Sequence, residues 1–183
     1  MDTIYLIGQP GSGKTTLTKE FQKSWAKVNM SDRPFKHQEW EAPELGKVYS
    51  LGWDREHFSG TDTLGNTVIK YVEAFYDQAS REVNYIYGEG DRLANGTYFD
   101  IAERYGTLYL FYLATNDKIA QARREARSAE TGKTQNPTWV KGRVTKHKNL
   151  SVKYSAIYLP GNKTPREITE IMADYLSLGK GNT

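Results

Sequence analysis

The sequence predicts an α/β fold, a parallel sheet covered by helices on both faces. Short β-branched or apolar runs alternate with helix-period segments along the whole chain. A glycine-rich turn joins the first such run to the first helix. No internal repeat, low-complexity tract or linker interrupts the 183 residues, which read as one domain, 1–183.

The elements follow in order. Residues 3–7 (Thr-Ile-Tyr-Leu-Ile) form a buried strand. After the glycine turn, 14–27 reads as a helix with Leu17, Phe21 and Trp25 on one face. Residues 29–47 are polar, hold Pro34 and Pro43, and are expected to be irregular. A second strand is expected at 48–52. A helix over 68–79 follows, with Val68, Val72, Phe75 and Ala79 at helical spacing. A third strand covers 84–87, a short helix 97–105, and the strongest later strand 107–113. The next helix, about 117–130, is rich in Ala and Arg. Residues 131–150 show no apolar period and contain Gly132, Pro137 and Gly142, which predicts a mobile loop or lid. A fifth strand at 156–159 precedes a last helix opened by Pro165. Thr164 is its expected N-cap, and Ile168, Ile171, Met172 and Tyr175 are its expected inward face.

Lys plus Arg number 25 against 22 for Asp plus Glu, a formal charge of +3 that permits a polyanionic partner without requiring one. The excess is local: ten Lys or Arg lie between Lys118 and Lys153, opposed only by Glu125 and Glu130. Cysteine is absent, which excludes a disulfide framework and a thiolate metal site. The longest apolar run, 108–114, is far short of the roughly 20 residues a membrane helix needs. No membrane association and no cleaved leader are expected, and the expected location is the cytoplasm. The oligomeric state is not legible.

Gly8-Gln9-Pro10-Gly11-Ser12-Gly13-Lys14-Thr15 matches the phosphate-binding pattern G-x-x-x-x-G-K-[ST] at every fixed position, between a strand and a helix. Glycines let backbone N–H groups converge on phosphate oxygens, and the helix N-terminus adds partial positive charge. Gly8, Gly11, Ser12, Gly13, Lys14, Thr15 and the adjoining Thr16 are therefore the expected ATP-binding residues. Lys14 is assigned to the β- and γ-phosphates and Thr15 to Mg²⁺.

At the end of the second strand, Asp54 stands where open α/β sheets bind ligands, and it could orient an acceptor hydroxyl. The plain alternative is an Asp that starts a turn or pairs with Arg55. Asp62 reads as a turn or cap residue. After the third strand, Glu89 and Asp91 compete for the carboxylate aimed at the water shell of Mg²⁺, with Glu89 favoured because it lies nearer the strand. Arg92 either clamps a phosphate or pairs with Asp91. Arg123 and Arg127 share a helix face with Arg124 beside them, and guanidinium forks suit phosphate oxygens. Arg124 is assigned to the nucleotide, Arg123 and Arg127 to the transferring phosphoryl group, and Arg143 is a candidate lid finger; a solvated basic face is the alternative.

The amino-terminal loop, the small size and the arginine-rich helix after the fourth strand resemble the nucleoside and nucleotide kinase group of P-loop proteins. The resemblance implies a P-loop NTPase three-layer sandwich with five parallel strands ordered 2-3-1-4-5 and a basic lid spanning about 117–150. Switch-GTPase signatures (Asp-x-x-Gly and Asn-Lys-x-Asp) are missing. Asp54 after Trp53, Gly60-Thr61-Asp62-Thr63-Leu64, Gly88-Glu89-Gly90-Asp91-Arg92-Leu93 and Trp139-Val140-Lys141-Gly142-Arg143 together resemble a narrower group. These are the bacteriophage P-loop kinases of DNA base hypermodification. That resemblance implies transfer of the γ-phosphate of ATP, with Mg²⁺, to the hydroxymethyl group of 5-hydroxymethyluracil in DNA. Lys141, Arg143, Lys146 and Lys148 interleaved with Trp139, and Trp53 beside Asp54, would then hold the polymer and base. The alternatives are a kinase of a deoxynucleoside or nucleoside monophosphate, and a DNA-binding module that hydrolyses ATP.

Overall fold

The computed structural model describes residues 1–54 and 59–179. Seven strands, β1 (Asp2–Ile7), β2 (Ala26–Ser31), β3 (His37–Ala42), β4 (Gly46–Leu51), β5 (Tyr85–Glu89), β6 (Leu108–Ala114) and β7 (Ile157–Pro160), form one sheet. Their order is β2-β3-β4-β5-β1-β6-β7. The helices are α1 (Lys14–Phe21), α2 (Ile69–Ala79), α3 (Gly96–Tyr105), α4 (Asp117–Thr131), α5 (Pro137–Lys153) and α6 (Pro165–Gly179). Strand β5 pairs in parallel with both β1 and β4, and β6 with β7, whereas β2, β3 and β4 form an antiparallel meander. The α/β class holds. The expected five-stranded parallel sheet is corrected to a mixed sheet of seven, in which β4-β5-β1-β6-β7 is the expected run and β2 and β3 extend it.

Those two extra strands overturn two expectations. The first helix stops at Phe21 instead of reaching residue 27, and the segment expected to be irregular is largely a hairpin. Trp25, read as the third rung of a helix face, instead packs edge-on against Trp40 and Tyr87, with centroids 6.3 and 6.0 Å away. Strand β3 is polar in composition yet lies between two neighbours, so its backbone polarity is spent in ladders on both sides. Its buried polar side chains also find acceptors. His37 Nδ1 donates to the Phe35 carbonyl (2.9 Å), and Gln38 Nε2 donates to that of Gly52 (3.2 Å).

Cα packing divides the chain into two compact units, residues 1–6 with 22–110, and residues 7–21 with those from 111 onward. The first has an aromatic core of fully buried Tyr5, Phe75, Tyr76, Tyr87, Tyr98 and Phe99. Its phenols are chained, Thr3 Oγ1 to the Tyr76 hydroxyl (3.0 Å) and Tyr76 to the Tyr98 hydroxyl (2.9 Å). Burial pushes the Tyr76 and Tyr98 phenols well above their ordinary ionisation range. Near the β3–β4 pair, Tyr49 donates to Glu82 (2.6 Å), and this bond holds the Glu82 carboxyl below the usual range.

In the second unit, the expected mobile loop over 131–150 is corrected to a short connection followed by helix α5. Asn136 caps that helix, accepting from the amides of Thr138 (2.8 Å) and Trp139 (3.2 Å), and Pro137 occupies the first helical position. Only His147 and Ser151 of α5 are buried, so the helix carries no apolar stripe for a periodicity search to find. Helix α6 opens with a capping box. Thr164 N donates to a Glu167 carboxylate oxygen (2.9 Å) and Glu167 N to Thr164 Oγ1 (3.3 Å). Ile168 and Met172 are buried as expected, but Tyr175 is 45% exposed, and its inward place is taken by Leu176.

Gly52, at the exit of β4, has φ +84°, and a Cβ there would lie 1.8 Å from the Gly60 carbonyl oxygen. The left-handed conformation alone costs a side chain about 1–2 kcal/mol. Gly52→Ala is therefore expected to lower the melting temperature by at least ~6 °C, read by circular dichroism.

Candidate active site

The loop between β1 and α1 is built so that its carbonyl oxygens are taken up away from a phosphate. Gly8 O accepts from Lys14 Nζ (2.8 Å) and from His147 Nδ1 (2.7 Å). Gln9 O accepts from the amide of Ser12 (3.0 Å) and from Lys14 Nζ (3.3 Å). Pro10 O accepts from Arg124 Nη1 (2.7 Å), and Ser12 O from Arg123 Nη1 (3.0 Å) and Thr115 Oγ1 (2.9 Å). The Gln9 amide, itself buried, donates to Thr115 O (2.8 Å) and Asp117 Oδ1 (2.9 Å), tying the loop to the start of α4. With carbonyls occupied in this way, the loop's N–H groups and the first turn of α1 make the face that meets an anion.

The loop's shape fits a phosphate tail. Gly11 and Gly13 have φ of +83° and +100°. A Cβ at Gly11 would come within 2.4 Å of the Ala120 carbonyl oxygen, and one at Gly13 within 3.0 Å of Arg123 Nη1. Only glycine gives the backbone both that conformation and that approach. Ser12 Oγ is buried and has no hydrogen-bond partner, a polar atom placed within the cradle at a cost unless a ligand supplies one. Thr15 is half-buried and Thr16 exposed.

The cationic residues fall into three places. Arg123 and Arg124 brace the loop through its carbonyls. Arg127, one turn farther along α4, is exposed. Arg143 lies on α5 with its guanidinium 5.3 Å from the centre of the Trp139 ring, which is 41% exposed. Sequence reasoning missed His147. No pattern in the sequence marks a helical histidine whose partner is a carbonyl 139 positions away.

In the other unit, Glu89 ends β5 and is 3% exposed. Its carboxylate accepts from Ser59 Oγ (2.7 Å), and its carbonyl accepts from Thr61 Oγ1 (2.9 Å). Gly60, at φ +59°, lies so close that a Cβ would meet the Glu89 carbonyl oxygen at 2.6 Å. The Tyr5 hydroxyl reaches Thr61 Oγ1 (3.1 Å) and Gly90 O (3.2 Å), and burial keeps that phenol protonated far above neutral pH. Asp62 accepts from the amides of Asp91 (2.8 Å) and Arg92 (3.2 Å), a contact between segments and not within its own turn. Arg92 donates to the side-chain oxygen of Asn66. Asp91 lies beyond the strand and is half-buried. Asp54 is exposed just past β4; Arg55 lies outside the described residues. Trp53 is half-buried, with Lys36 Nζ 4.7 Å from the centre of its ring, and its amide donates to Thr63 Oγ1 (3.0 Å). Among the described residues no helix is long and apolar enough to cross a membrane.

A family model described as P-loop Nucleotide Kinase3 matches residues 1–174. No curated protein sequence matches the chain. Among solved structures, the chain is similar to the YorR protein of Bacillus subtilis in complex with phosphorylated GDP, with TM-score 0.60, 10% identity and 99% of each chain covered. It is also similar to a sugar kinase from Janibacter sp. HTCC2649, with TM-score 0.55, 14% identity, and 97% of this chain and 95% of the other covered. A gluconokinase from Sinorhizobium meliloti 1021 gives TM-score 0.51, 10% identity and 97% of each chain covered. Identities this low establish a shared fold.

Arg124→Ala removes a charge-assisted bond to the loop, an interaction worth about 1.5–3 kcal/mol. The expected outcome is a rise of roughly tenfold in the KM for ATP with kcat changed by less than about threefold, measured by steady-state kinetics.

Proposed function

The chain belongs to the P-loop Nucleotide Kinase3 family, a P-loop kinase that uses ATP with Mg²⁺, and from that premise we propose that its acceptor is the hydroxymethyl group of 5-hydroxymethyluracil in DNA. The observation that carries this reading is the surface of α5. Its 17 residues hold five Lys or Arg and no Asp or Glu, around an exposed Trp139 that stacks with Arg143. Cationic side chains interleaved with an exposed ring suit a strand of phosphates and a splayed base.

In this reading Asp54 orients the acceptor hydroxyl and takes its proton. The acceptor oxygen bonds to the γ-phosphorus, the bond from that phosphorus to the β,γ-bridging oxygen breaks, and ADP leaves. Lys14, supported by Arg123, Arg127 and Arg143, offsets charge on the transferring group. Gly8, Gly11, Ser12, Gly13, Thr16 and Arg124 hold the nucleotide. The Thr15 hydroxyl is the proposed protein ligand of Mg²⁺, which supplies charge neutralisation of the phosphates when bound. Glu89 is the proposed carboxylate for its water shell in preference to Asp91, because Glu89 is buried and oriented by Ser59.

A second reading, a kinase of a deoxynucleoside or nucleoside monophosphate, is favoured by the nucleotide-kinase description of the family. Both readings are tested by following γ-phosphate transfer from labelled ATP to duplex DNA containing hydroxymethyluracil, to free nucleosides and nucleotides, and to water. Transfer to DNA that falls more than about tenfold between 50 and 200 mM salt supports the polymer. Transfer confined to free nucleosides or nucleotides, with little salt dependence, replaces the first reading by the second. Label released only to water overturns both.

Asp54→Asn is expected to lower turnover about 100-fold while leaving the KM for ATP within about threefold. Near-normal turnover would remove Asp54 from the acceptor site. Glu89→Gln is expected to raise the Mg²⁺ concentration for half-maximal transfer roughly tenfold, against less than about threefold for Asp91→Asn. A titration of Mg²⁺ at fixed ATP reads both.

A further inference from the structure

We propose that the groove beside the β2–β3 hairpin binds a free α-amino acid with a small apolar side chain, its ammonium on Glu39 and His37 and its carboxylate on Arg33. The inference involves neither the nucleotide loop nor the acceptor, so it stands or falls apart from the proposed function.

The groove follows from the two strands that extend the sheet. Helix α2 covers β3 and β4 through Phe75, whose ring centre lies 5.0 Å from that of His37 and 5.9 Å from that of Tyr49. Strand β2 lies beyond that cover and is exposed from Ala26 to Met30. A cavity of about 170 Å³ is left there. Buried His37, Tyr49 and Phe75 make its inner wall, and Met30 lines it from β2. A space of about 150 Å³ takes a benzene ring, so this one takes roughly eight to ten non-hydrogen atoms. That suits an amino acid and is too small to enclose a nucleotide of about twenty or more.

Most polar groups around the cavity are already engaged. The Tyr49 hydroxyl and Gln78 Nε2 donate to Glu82 (2.6 and 3.1 Å), and Asn29 Oδ1 accepts from the amide of Met30 (2.8 Å). Ser31 Oγ bonds the carbonyl and the amide of Arg33 (3.2 Å each). Three groups are left. His37 gives its Nδ1 proton to the Phe35 carbonyl (2.9 Å), so Nε2 of the neutral ring is an acceptor, on a residue only 8% exposed. The half-buried Glu39 carboxylate and the Arg33 guanidinium also line the cavity. Among the described residues neither has a hydrogen-bond or ion-pair partner, and they do not pair with each other.

Opposite charges that line one cavity without meeting suit a ligand that bridges them. An ammonium has three donors and no acceptor, which matches a carboxylate and a ring nitrogen that both accept. A guanidinium fork matches a carboxylate with two parallel charge-assisted bonds. An α-amino acid carries both ends on one carbon, and its side chain then meets the rings and Met30. A nucleobase offers N–H donors but brings no anion to Arg33.

Chemical-shift titration of the His37 ring in the full chain, without nucleotide, tests this with three probes of one carbon skeleton. They are valine, isobutylamine (no carboxylate) and isovalerate (no ammonium). Valine is expected to saturate the site with a Kd below about 1 mM, and each singly charged probe to bind at least about tenfold more weakly. Arg33→Gln is expected to weaken valine at least about tenfold and to leave isobutylamine within about twofold. Glu39→Gln is expected to weaken valine and isobutylamine and to leave isovalerate within about twofold. Both side chains lack partners among the described residues, so the variants keep the fold. Failure of valine to saturate, or equal valine affinity in the parent and both variants, overturns the proposal. So does uridine binding more tightly than valine, which would make the groove a nucleoside site.

Discussion

The structure around the nucleotide depends on one constraint: a backbone that presents N–H groups to an anion must dispose of its carbonyls elsewhere. Five side chains take up that demand here. Lys14 and His147 meet Gly8 O, Arg124 meets Pro10 O, and Arg123 and Thr115 meet Ser12 O. Charge-assisted bonds at Pro10 and Ser12 hold a strained, glycine-rich loop more firmly than neutral ones would. The glycines at positive φ supply the shape, and the helices after β6 supply the donors that fix it. Helix α4 starts at its own cap, Asn116, whose side chain accepts from Lys118 N (2.9 Å), beside the bonds to Gln9. Thr115 and Asp117 receive the Gln9 amide just as the chain leaves the sheet, so the loop and the helix are registered by the same few bonds.

Much of this was legible in the sequence and some of it was not, for identifiable reasons. The loop could be read because its constraints fall on consecutive residues with fixed identities. The parallel strands could be read because apolar runs leave a strong local signal. Strand β3 could not: His37, Gln38, Glu39 and Glu41 look solvated, and what makes them a strand is a ladder on each side, which is non-local. Helix α5 was hidden by the opposite circumstance, too little burial. With only His147 and Ser151 inward, its hydrophobic period is nearly silent. The arginines of α4 stand out in the sequence as a cluster, whereas the bonds of Arg123 and Arg124 to loop carbonyls are non-local.

In the other unit, the segment 59–64 wraps the end of β5, and its polar side chains have little freedom. Ser59 orients the Glu89 carboxylate, Thr61 closes on the Glu89 carbonyl, and Asp62 holds the two amides that follow Gly90. Gly60 must be small because it lies against Glu89 itself. A carboxylate at 3% exposure retains a defined orientation at the cost of desolvation, and a hydroxyl donor at 2.7 Å offsets part of that cost. Asp54, by contrast, is exposed and able to meet a group arriving from solvent. The two acidic residues thus have environments suited to different work, a fixed carboxylate and an accessible one. Sequence alone could place both at strand ends but could not separate them by burial.

The charge distribution adds a last step. The chain's formal net charge is +3, yet α5 alone contributes five positive side chains and no negative ones, so the remainder is acidic overall. Net charge therefore understates the positive charge that helix carries. The asymmetry is wider than that helix, because α4 and the connection after it carry Lys118, Arg123, Arg124, Arg127 and Lys133 against Asp117, Glu125 and Glu130. A small acceptor, carrying one phosphate or none, gains little from such an asymmetry, because its few charges are screened before orientation matters. A polymer gains at every phosphate it lays along the helix. The same helix carries the histidine that meets Gly8, so the basic surface and the phosphate loop are joined by a single buried ring.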